Sequence, residues 1–287
     1  MKNKVVLVTG GAGFVGSHLA KRLLDMSNKV YVLDNYFTGK KDNHHKGIVY
    51  KKANTKNIFK LFNEINLDYI FHLGEYSRVE QSFEDIDSVF EYNLNSFYDV
   101  LRLARLHKSK LIYCGSSTKF SKNINKFESP YSLTKKINTQ ILVQYAKWFN
   151  LDYAITYFYN VYGEKEIAEG KYATVIAKFL KLKKSDAKYL PVTKPGSQKR
   201  RFTHIEDIIN GLIIVAKKGY GDNYGIGSSE KYSIVDIVDM LKMKVNFTPA
   251  KKGNRLDGEL KTSKIRKLGW KPLYKLEDYI NKNIMIN

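Results

Sequence analysis

Hydrophobic positions fall in short runs that alternate with helical spacing. The first run, Lys4-Val5-Val6-Leu7-Val8-Thr9, reads as a strand buried on both faces, and a helical pattern through Ala20, Leu23 and Leu24 follows it. The same alternation continues to about residue 150. Strands are predicted near 4–9, 29–34, 69–73 and 110–115, and helices near 14–26, 57–66, 84–107 and 130–149. Strand and helix in strict turn imply an α/β fold, a doubly wound parallel sheet of Rossmann type with helices on both faces. A further strand, Tyr153–Tyr157, leads to Asn160, after which the order loosens. Helical patterns near 172–184, 206–218, 233–242 and 275–283 mix with short strands near 188–192, 201–204 and 223–226, punctuated by Pro191, Pro195, Gly196, Pro249 and Gly253. The expected organisation is a nucleotide-binding domain over 1–160 and a smaller substrate-binding region over 161–287, interleaved with the main sheet.

The first strand-to-helix junction carries chemistry. Gly10, Gly13 and Gly16 are spaced three apart, with Phe14 and Val15 opening the helix. The first glycine permits the tight turn, the second lets backbone N–H groups approach a phosphate, and the third lets helix and strand pack closely. The helix N-terminus then faces the anion with its partial positive charge. Glycine-rich turns are common, and an idle turn in a βαβ unit is the plain alternative, but this one has the strand before it and the helix after it that a dinucleotide site needs. The second strand ends at Asp34, 18 residues beyond Gly16. A carboxylate there accepts hydrogen bonds from adenosine ribose hydroxyls and repels a 2′-phosphate, which favours NAD over NADP.

With 287 residues, 43% hydrophobic and 27% charged, the chain has an ordinary globular balance and length enough for a substantial core. One cysteine, Cys114, rules out an internal disulfide framework and fits a reducing compartment. The first residues run straight into a strand with no leader pattern, and no apolar run reaches membrane-spanning length, so a cytoplasmic protein is expected. The net charge of +21 comes from 41 Lys and only 8 Arg, spread along the chain. Nucleic-acid surfaces usually enrich Arg too, so solvated faces are the simpler reading, with attraction of an acidic substrate as the sharper one. No metal centre is expected.

A second constellation lies past the fourth predicted strand. Ser129 is a good N-cap, Pro130 suits the first helical position, and Tyr131 and Lys135, four apart, share a helix face. An ammonium beside a phenol favours the phenolate, which can take a proton from a sugar hydroxyl as hydride leaves the same carbon. The spacing alone is worthless, since 21 Tyr and 41 Lys make several such pairs by chance, Tyr36 and Lys40 among them. Context singles out Tyr131: it lies 15 residues beyond Ser116 in the strand-end run Cys114-Gly115-Ser116-Ser117-Thr118. Ser116 can orient the same substrate oxygen; alternatively, these hydroxyls only cap a local turn.

These motifs, in this order over nearly the full length, resemble the extended short-chain dehydrogenase/reductases of the NAD-dependent epimerase/dehydratase group, with UDP-glucose 4-epimerase and its relatives as the nearest type. Thr9–Gly16 is similar to that family's nucleotide turn and Asp34-Asn35-Tyr36-Phe37-Thr38-Gly39 to its adenosine-ribose segment. Phe71-His72-Leu73-Gly74 resembles the strand flanking the cofactor, and Asn93 stands where the family keeps an asparagine. The resemblance implies a catalytic trio of Ser116, Tyr131 and Lys135, with Lys135 also holding the nicotinamide ribose. It implies cofactor contacts from Gly10, Gly13, Phe14, Val15, Gly16, Asp34, Asn35, Thr38, Gly39, Leu73, Gly74 and Asn93. It implies substrate contacts from Ser77, Ser117, Asn160 in Tyr159–Gly163, and Gln198 and Arg200 in Gln198–Phe202, with Arg200 clamping a diphosphate. Ser263-Lys264 and Leu268–Pro272 are similar to its closing pattern.

The activity so implied is inversion of C4 in a nucleotide-diphosphate sugar through a transient 4-keto sugar, with NAD retained, in a homodimer formed through the long helices near 84–107 and 130–149. A 4,6-dehydratase, 4-dehydrogenase or ketoreductase is the alternative. The sequence departs from the pattern in places. Ser117 and Thr118 stand where dehydratases carry Asp and Glu, which argues against elimination. The gap from Ser116 to Tyr131 is short, which implies a trimmed loop at the sugar pocket. Glu75 and Arg78 replace small apolar residues and either contact substrate or pair structurally. Lys251–Asn254 and Tyr157 replace residues of the UDP-sugar enzymes, which points to a different base.

Overall fold

The computed structural model describes residues 1–120, 129–250 and 259–285. Six strands form in the first 160 residues: β1 (Val5–Thr9), β2 (Lys29–Asp34), β3 (Val49–Lys52), β4 (Tyr69–His72), β5 (Lys110–Ser116) and β6 (Tyr153–Phe158). They pair in parallel in the order β3-β2-β1-β4-β5-β6, and a seventh parallel strand, Gly221–Ile226, joins β6 from far along the chain. The expected doubly wound α/β fold is therefore the one observed.

Side chains alternating across the pleat supply two apolar layers. Val6, Val8, Val30, Val32 and Ile112 pack with Leu19 and Leu23 of α1 (Phe14–Asp25) on one face. Leu7, Tyr31, Leu33, Leu111 and Tyr113 pack on the other. There they meet α2 (Ile58–Phe62), α4 (Phe97–His107) and α5 (Pro130–Phe149), with the short α3 (Ile86–Val89) beside them. At about 1.5–3 kcal/mol for each fully buried aliphatic or aromatic side chain, these layers dominate stability.

The long helix expected over 84–107 is not continuous. A 3₁₀ turn at Gln81–Phe83, α3, a π-helical stretch at Phe90–Asn95 and α4 replace it. The wide turn aims Asn93 inward, where its Oδ1 accepts from Tyr76 N at 2.6 Å and its Nδ2 donates to Thr134 Oγ1 at 3.0 Å. The sequence reading also misses β3. Its lysines hide the strand pattern, and they are tolerated because β3 is the sheet edge.

Beyond residue 160 come β7 (Val161–Tyr162), α6 (Val175–Lys184), β8 (Tyr189–Thr193), β9 (Lys199–Arg200), β10 (Thr203–His204), α7 (Ile205–Lys218) and β11 (Gly221–Ile226). Then follow β12 (Tyr232–Ser233), α8 (Ile234–Met240), β13 (Lys244–Thr248), α9 (Ser263–Arg266) and α10 (Leu276–Met285). Pairs β7–β10, β9–β12 and β8–β13 make small ribbons over a separate core that includes Ile176, Phe179, Leu190, Ile237 and Leu276. The helix α7 and β11 return to the main sheet, so the second half of the chain builds both layers.

What this topology provides is a switch point. After β3 the chain crosses back to lay β4 against the other side of β1, and the carboxyl ends of β1 and β4 diverge into a crevice.

Candidate active site

The crevice is a cleft of about 480 Å³, reaching from the glycine turn to α6. Its floor is the nucleotide turn. Gly10 adopts φ +70°, and a Cβ there would stand 2.9 Å from Gly74 Cα. A Cβ on Gly16 would lie 2.1 Å from Gly10 O, so only glycine lets α1 start against β1. The first helical residue is Phe14, and its cap, Gly13, offers no side chain to the initial N–H groups. The turn thus presents uncapped donors and no Cβ to the cleft, a fit for a pyrophosphate. Gly10, Gly13, Phe14, Val15 and Gly16 all line the cleft.

Asp34, at the end of β2, lines the cleft and also ties the turn together. Its Oδ2 accepts from Ala12 N at 2.9 Å and its Oδ1 from Tyr36 N at 2.7 Å. Burial pushes this carboxyl above its ordinary range, against the opposing pull of those N–H groups. Asn35 and Thr38 line the same wall, and Gly39 packs behind it, where a Cβ would come 2.9 Å from Asp34 Oδ1. Leu73 and Gly74 form the facing wall, and their N–H groups donate to Thr9 Oγ1 at 3.1 and 2.9 Å. Asn93 is not brought to the cleft: it is fully buried behind Tyr76.

On the β5 side, Ser116, Tyr131 and Lys135 converge on this cleft. The first turn of α5 is held by a reciprocal cap, Ser132 N donating to Ser129 Oγ at 3.2 Å and Ser129 N to Ser132 Oγ at 2.7 Å. Ser116 Oγ accepts from Thr118 N at 3.3 Å and from Thr118 Oγ1 at 2.9 Å, which leaves its own hydrogen to donate elsewhere. Lys135 is buried, donates to Cys114 O at 2.6 Å and forms an ion pair with Glu75. Of the alternatives left open for Glu75, the structure displays the pairing with Lys135, and Glu75 also lines the cleft. The pair Tyr36 and Lys40 is of a different kind: Tyr36 OH contacts His44 Nε2 at 2.8 Å.

Over the mouth, Ser77, Arg78, Ser117 and Asn160 line the cleft. Arg78 is positioned by Tyr172 O, which accepts from Nε at 3.0 Å, and Asn160 by Arg201 O at 2.8 Å from its Nδ2. Gln198 and Arg200 lie outside the lining; Gln198 is buried, with Nε2 donating to Thr193 O at 3.3 Å, and Arg200 sits on β9. Tyr157 also stands away from the cleft: its OH donates to Asp222 Oδ1 at 2.6 Å and accepts from Lys119 Nζ at 3.1 Å. Its identity therefore carries no information about the base. Lys251–Asn254 lie outside the described residues.

Sequence reasoning missed Glu166, which lines the cleft beneath α6 and accepts from Gly163 N at 3.1 Å. Burial pushes this carboxyl up to about 7, although Thr174, Gly163 N–H and Arg78 act in the opposite sense. A single Glu in a polar loop gives no signal in a sequence; only the approach of α6 to the cleft reveals it. Among the described residues no helix is long and apolar enough to cross a membrane.

Relatives agree with this architecture. The chain is 26% identical to UDP-glucuronic acid decarboxylase 1 of Danio rerio, over 98% of this chain and 72% of that protein. It superposes on UDP-glucose 4-epimerase of Thermotoga maritima, solved with UDP-glucose, with a TM-score of 0.89 at 23% identity, covering 98% of this chain and 97% of that one. A UDP-N-acetylglucosamine 4-epimerase of Methanobrevibacter ruminantium, solved with UDP-N-acetylmuramic acid, gives a TM-score of 0.87 at 25% identity, covering 99% and 98%. Residues 6–227 match the model of the NAD dependent epimerase/dehydratase family, a span that includes the glycine turn, Ser116, Tyr131 and Lys135, and the chain belongs to that family.

Proposed function

We propose that the protein is an NAD-dependent nucleotide-sugar 4-epimerase, inverting C4 of a nucleotide-diphosphate hexose. The observation that carries this reading is the convergence of Ser116, Tyr131 and Lys135 on the cleft floored by the glycine turn. Bound NAD supplies the hydride acceptor and, in the return step, the donor. The chain supplies the rest. Tyr131 takes the proton of the C4 hydroxyl and later returns it. Ser116 donates its free hydrogen to the same oxygen and orients it. Lys135 places its positive charge on the same helix face as the phenol and holds the ribose hydroxyls. Asn160 and Arg78, which line the cleft, contact the sugar.

Ser117 and Thr118 favour epimerisation over elimination. Thr118 is engaged with Ser116 and neither side chain is an acid or a base suited to C5 chemistry. A second reading, decarboxylation of a nucleotide-sugar uronate, draws on one observation: the Arg78 guanidinium in the cleft is suited to a sugar carboxylate. One experiment separates the two. Purified protein is incubated without added reductant with UDP-glucose, UDP-N-acetylglucosamine and UDP-glucuronic acid, and products are resolved by chromatography and mass spectrometry. C4 epimers of unchanged mass are expected; a loss of carbon dioxide or of water would replace the epimerase reading.

A homodimer is part of this proposal. It is supported by exposed large hydrophobic side chains on the two long helices, Tyr98 and Leu106 on α4 and Ile141, Trp148 and Phe149 on α5. Sedimentation velocity should give twice the mass of one chain.

A further inference from the structure

The catalytic helix carries a buried charge that the proposed chemistry does not itself require to be compensated. Lys135 keeps 7% of its side chain exposed, and the Glu75 carboxylate that meets it keeps 1%. Glu75 is fixed from every side. Asn138 Nδ2 donates to its Oε1 at 2.9 Å and Tyr113 OH to its Oε2 at 3.1 Å. His72 Nε2 faces Oε1 at 3.3 Å. Thr9 Oγ1 already accepts from Leu73 N and Gly74 N, so its hydrogen goes to His72 Nδ1, 2.7 Å away.

We propose that Glu75 is a positioning residue, the fixed counter-ion that keeps the Lys135 ammonium charged and aimed at the cleft. This rests on the assignment of Lys135 to the reacting pair. Two of the three ammonium hydrogens are committed, one to Glu75 and one to Cys114 O, and the third is left for the cleft and Tyr131. The groups facing Lys135 are Glu75 after β4, Tyr113 and Cys114 on β5, and Tyr131 on its own helix, with His72 behind Glu75 and Arg78 beyond Tyr131. Burial pushes the Cys114 thiol up to about 12 and holds the Tyr113 hydroxyl well above its ordinary value, so neither supplies negative charge near neutral pH. The ring of Tyr113, 5.1 Å from the ammonium, adds only a quadrupole. Glu75 is therefore the carboxylate on which Lys135 depends. Burial alone would lower Lys135, and the Glu75 charge reverses this and holds it above its ordinary value. Removing one partner of such a pair leaves a buried charge uncompensated, and a lysine so placed sheds its proton.

The test reads the lysine directly. NAD-loaded protein is pulse-labelled with acetic anhydride between pH 7 and 12, with a free peptide amine as the internal standard for anhydride hydrolysis, and acetylation at Lys135 is followed by peptide mass spectrometry. In Glu75→Gln the midpoint for labelling should fall by one pH unit or more, a tenfold or greater gain in reactivity at neutral pH. Glu75→Asp, which keeps the charge on a shorter arm, should fall between the two. Unchanged midpoints in folded Glu75→Gln, verified by circular dichroism, overturn the proposal. Should Glu75→Gln not fold, Glu75→Asp decides alone: a lowered midpoint supports the proposal and an unmoved one overturns it. Labelling needs no turnover, so a wild-type protein inactive on nucleotide sugars would sink the proposed function and leave this result standing. Where turnover is found, the alkaline limb of kcat/KM should move down with the labelling midpoint.

Discussion

Thr9 Oγ1 lies 2.7 Å from His72 Nδ1, and the two residues are register partners at the carboxyl ends of β1 and β4. This hydroxyl holds the switch point together, because it also accepts from Leu73 N and Gly74 N. Thr9→Val keeps the shape and strands two backbone donors and a ring nitrogen in a buried site. At about 1–3 kcal/mol for each unsatisfied buried group, a loss of ~3 kcal/mol in unfolding free energy is expected, with weakened NAD binding because Gly74 abuts Gly10. Thr9→Ser should recover most of both. Urea unfolding and a fluorescence titration with NADH check this; a Thr9→Val protein as stable as the parent would show that the hydroxyl is dispensable.

Asp34 is tied to Ala12 N and Tyr36 N, so its removal acts twice. Asp34→Ala should weaken NAD binding by tenfold or more and lower stability by about 1–3 kcal/mol, since two buried N–H groups lose their acceptor. Asp34→Asn retains one acceptor oxygen and should recover part of the stability without recovering affinity. Calorimetric NAD titration of both variants checks the expectation. Equal affinity in all three proteins would remove Asp34 from the cofactor site.

How far the sequence anticipates this molecule depends on the range of the interaction. Val6, Val8, Val30 and Val32 alternate with Leu7, Tyr31 and Leu33 at a period short enough to read directly, and the strands they predict are the ones formed. The N-cap and Pro130 likewise predict α5 to the residue. The break at Phe90–Asn95 was hidden because the pattern there is helical on either side, and the contacts of Asn93 with Tyr76 and Thr134 that accompany the wide turn are distant along the chain. The strand expected near 201–204 contains β10, but β7, β9 and β12 were hidden because two-residue strands have no period. At the site, Glu75 stood out as a charge where small apolar residues were expected, but its partner, Lys135, is 60 positions away and no local rule connects them. Arg200 shows the converse: a motif locates a residue along the chain without locating its side chain in the cleft.

Tyr131→Phe removes one oxygen and should leave the cleft, the Lys135–Glu75 pair and NAD binding intact. Loss of a general acid–base group costs about 10²–10⁴-fold in rate. Turnover should fall by at least that much while the cofactor content of the purified protein is unchanged. Steady-state assays, with absorbance of released cofactor as the control, measure both. Activity within a few-fold of wild type would remove the phenol from the chemistry.

Glu166 makes the cleft sensitive to pH near neutrality. Burial raises its carboxyl from 4.5 to about 7, so the folded protein holds this proton where the unfolded chain has already released it. The sign follows from linkage: the stabilisation is complete below about pH 4.5, declines as pH rises, and is gone above about 7. The full span is on the order of 3 kcal/mol. Asp34 and Asp207, also raised by burial, slope the same way, so the informative quantity is the difference between parent and Glu166→Gln. The variant should lose less stability between pH 5 and pH 8 than the parent. Binding should respond as well. Above pH 7 a negative charge appears in a cleft proposed to admit a diphosphate, so KM should rise with pH in the parent and rise less in Glu166→Gln. Urea midpoints at the two pH values and KM measured across pH 6–8.5 test the two effects separately. Parallel stability curves would place the Glu166 proton elsewhere, whereas an identical rise in KM would mean that the diphosphate stays beyond the reach of this carboxylate.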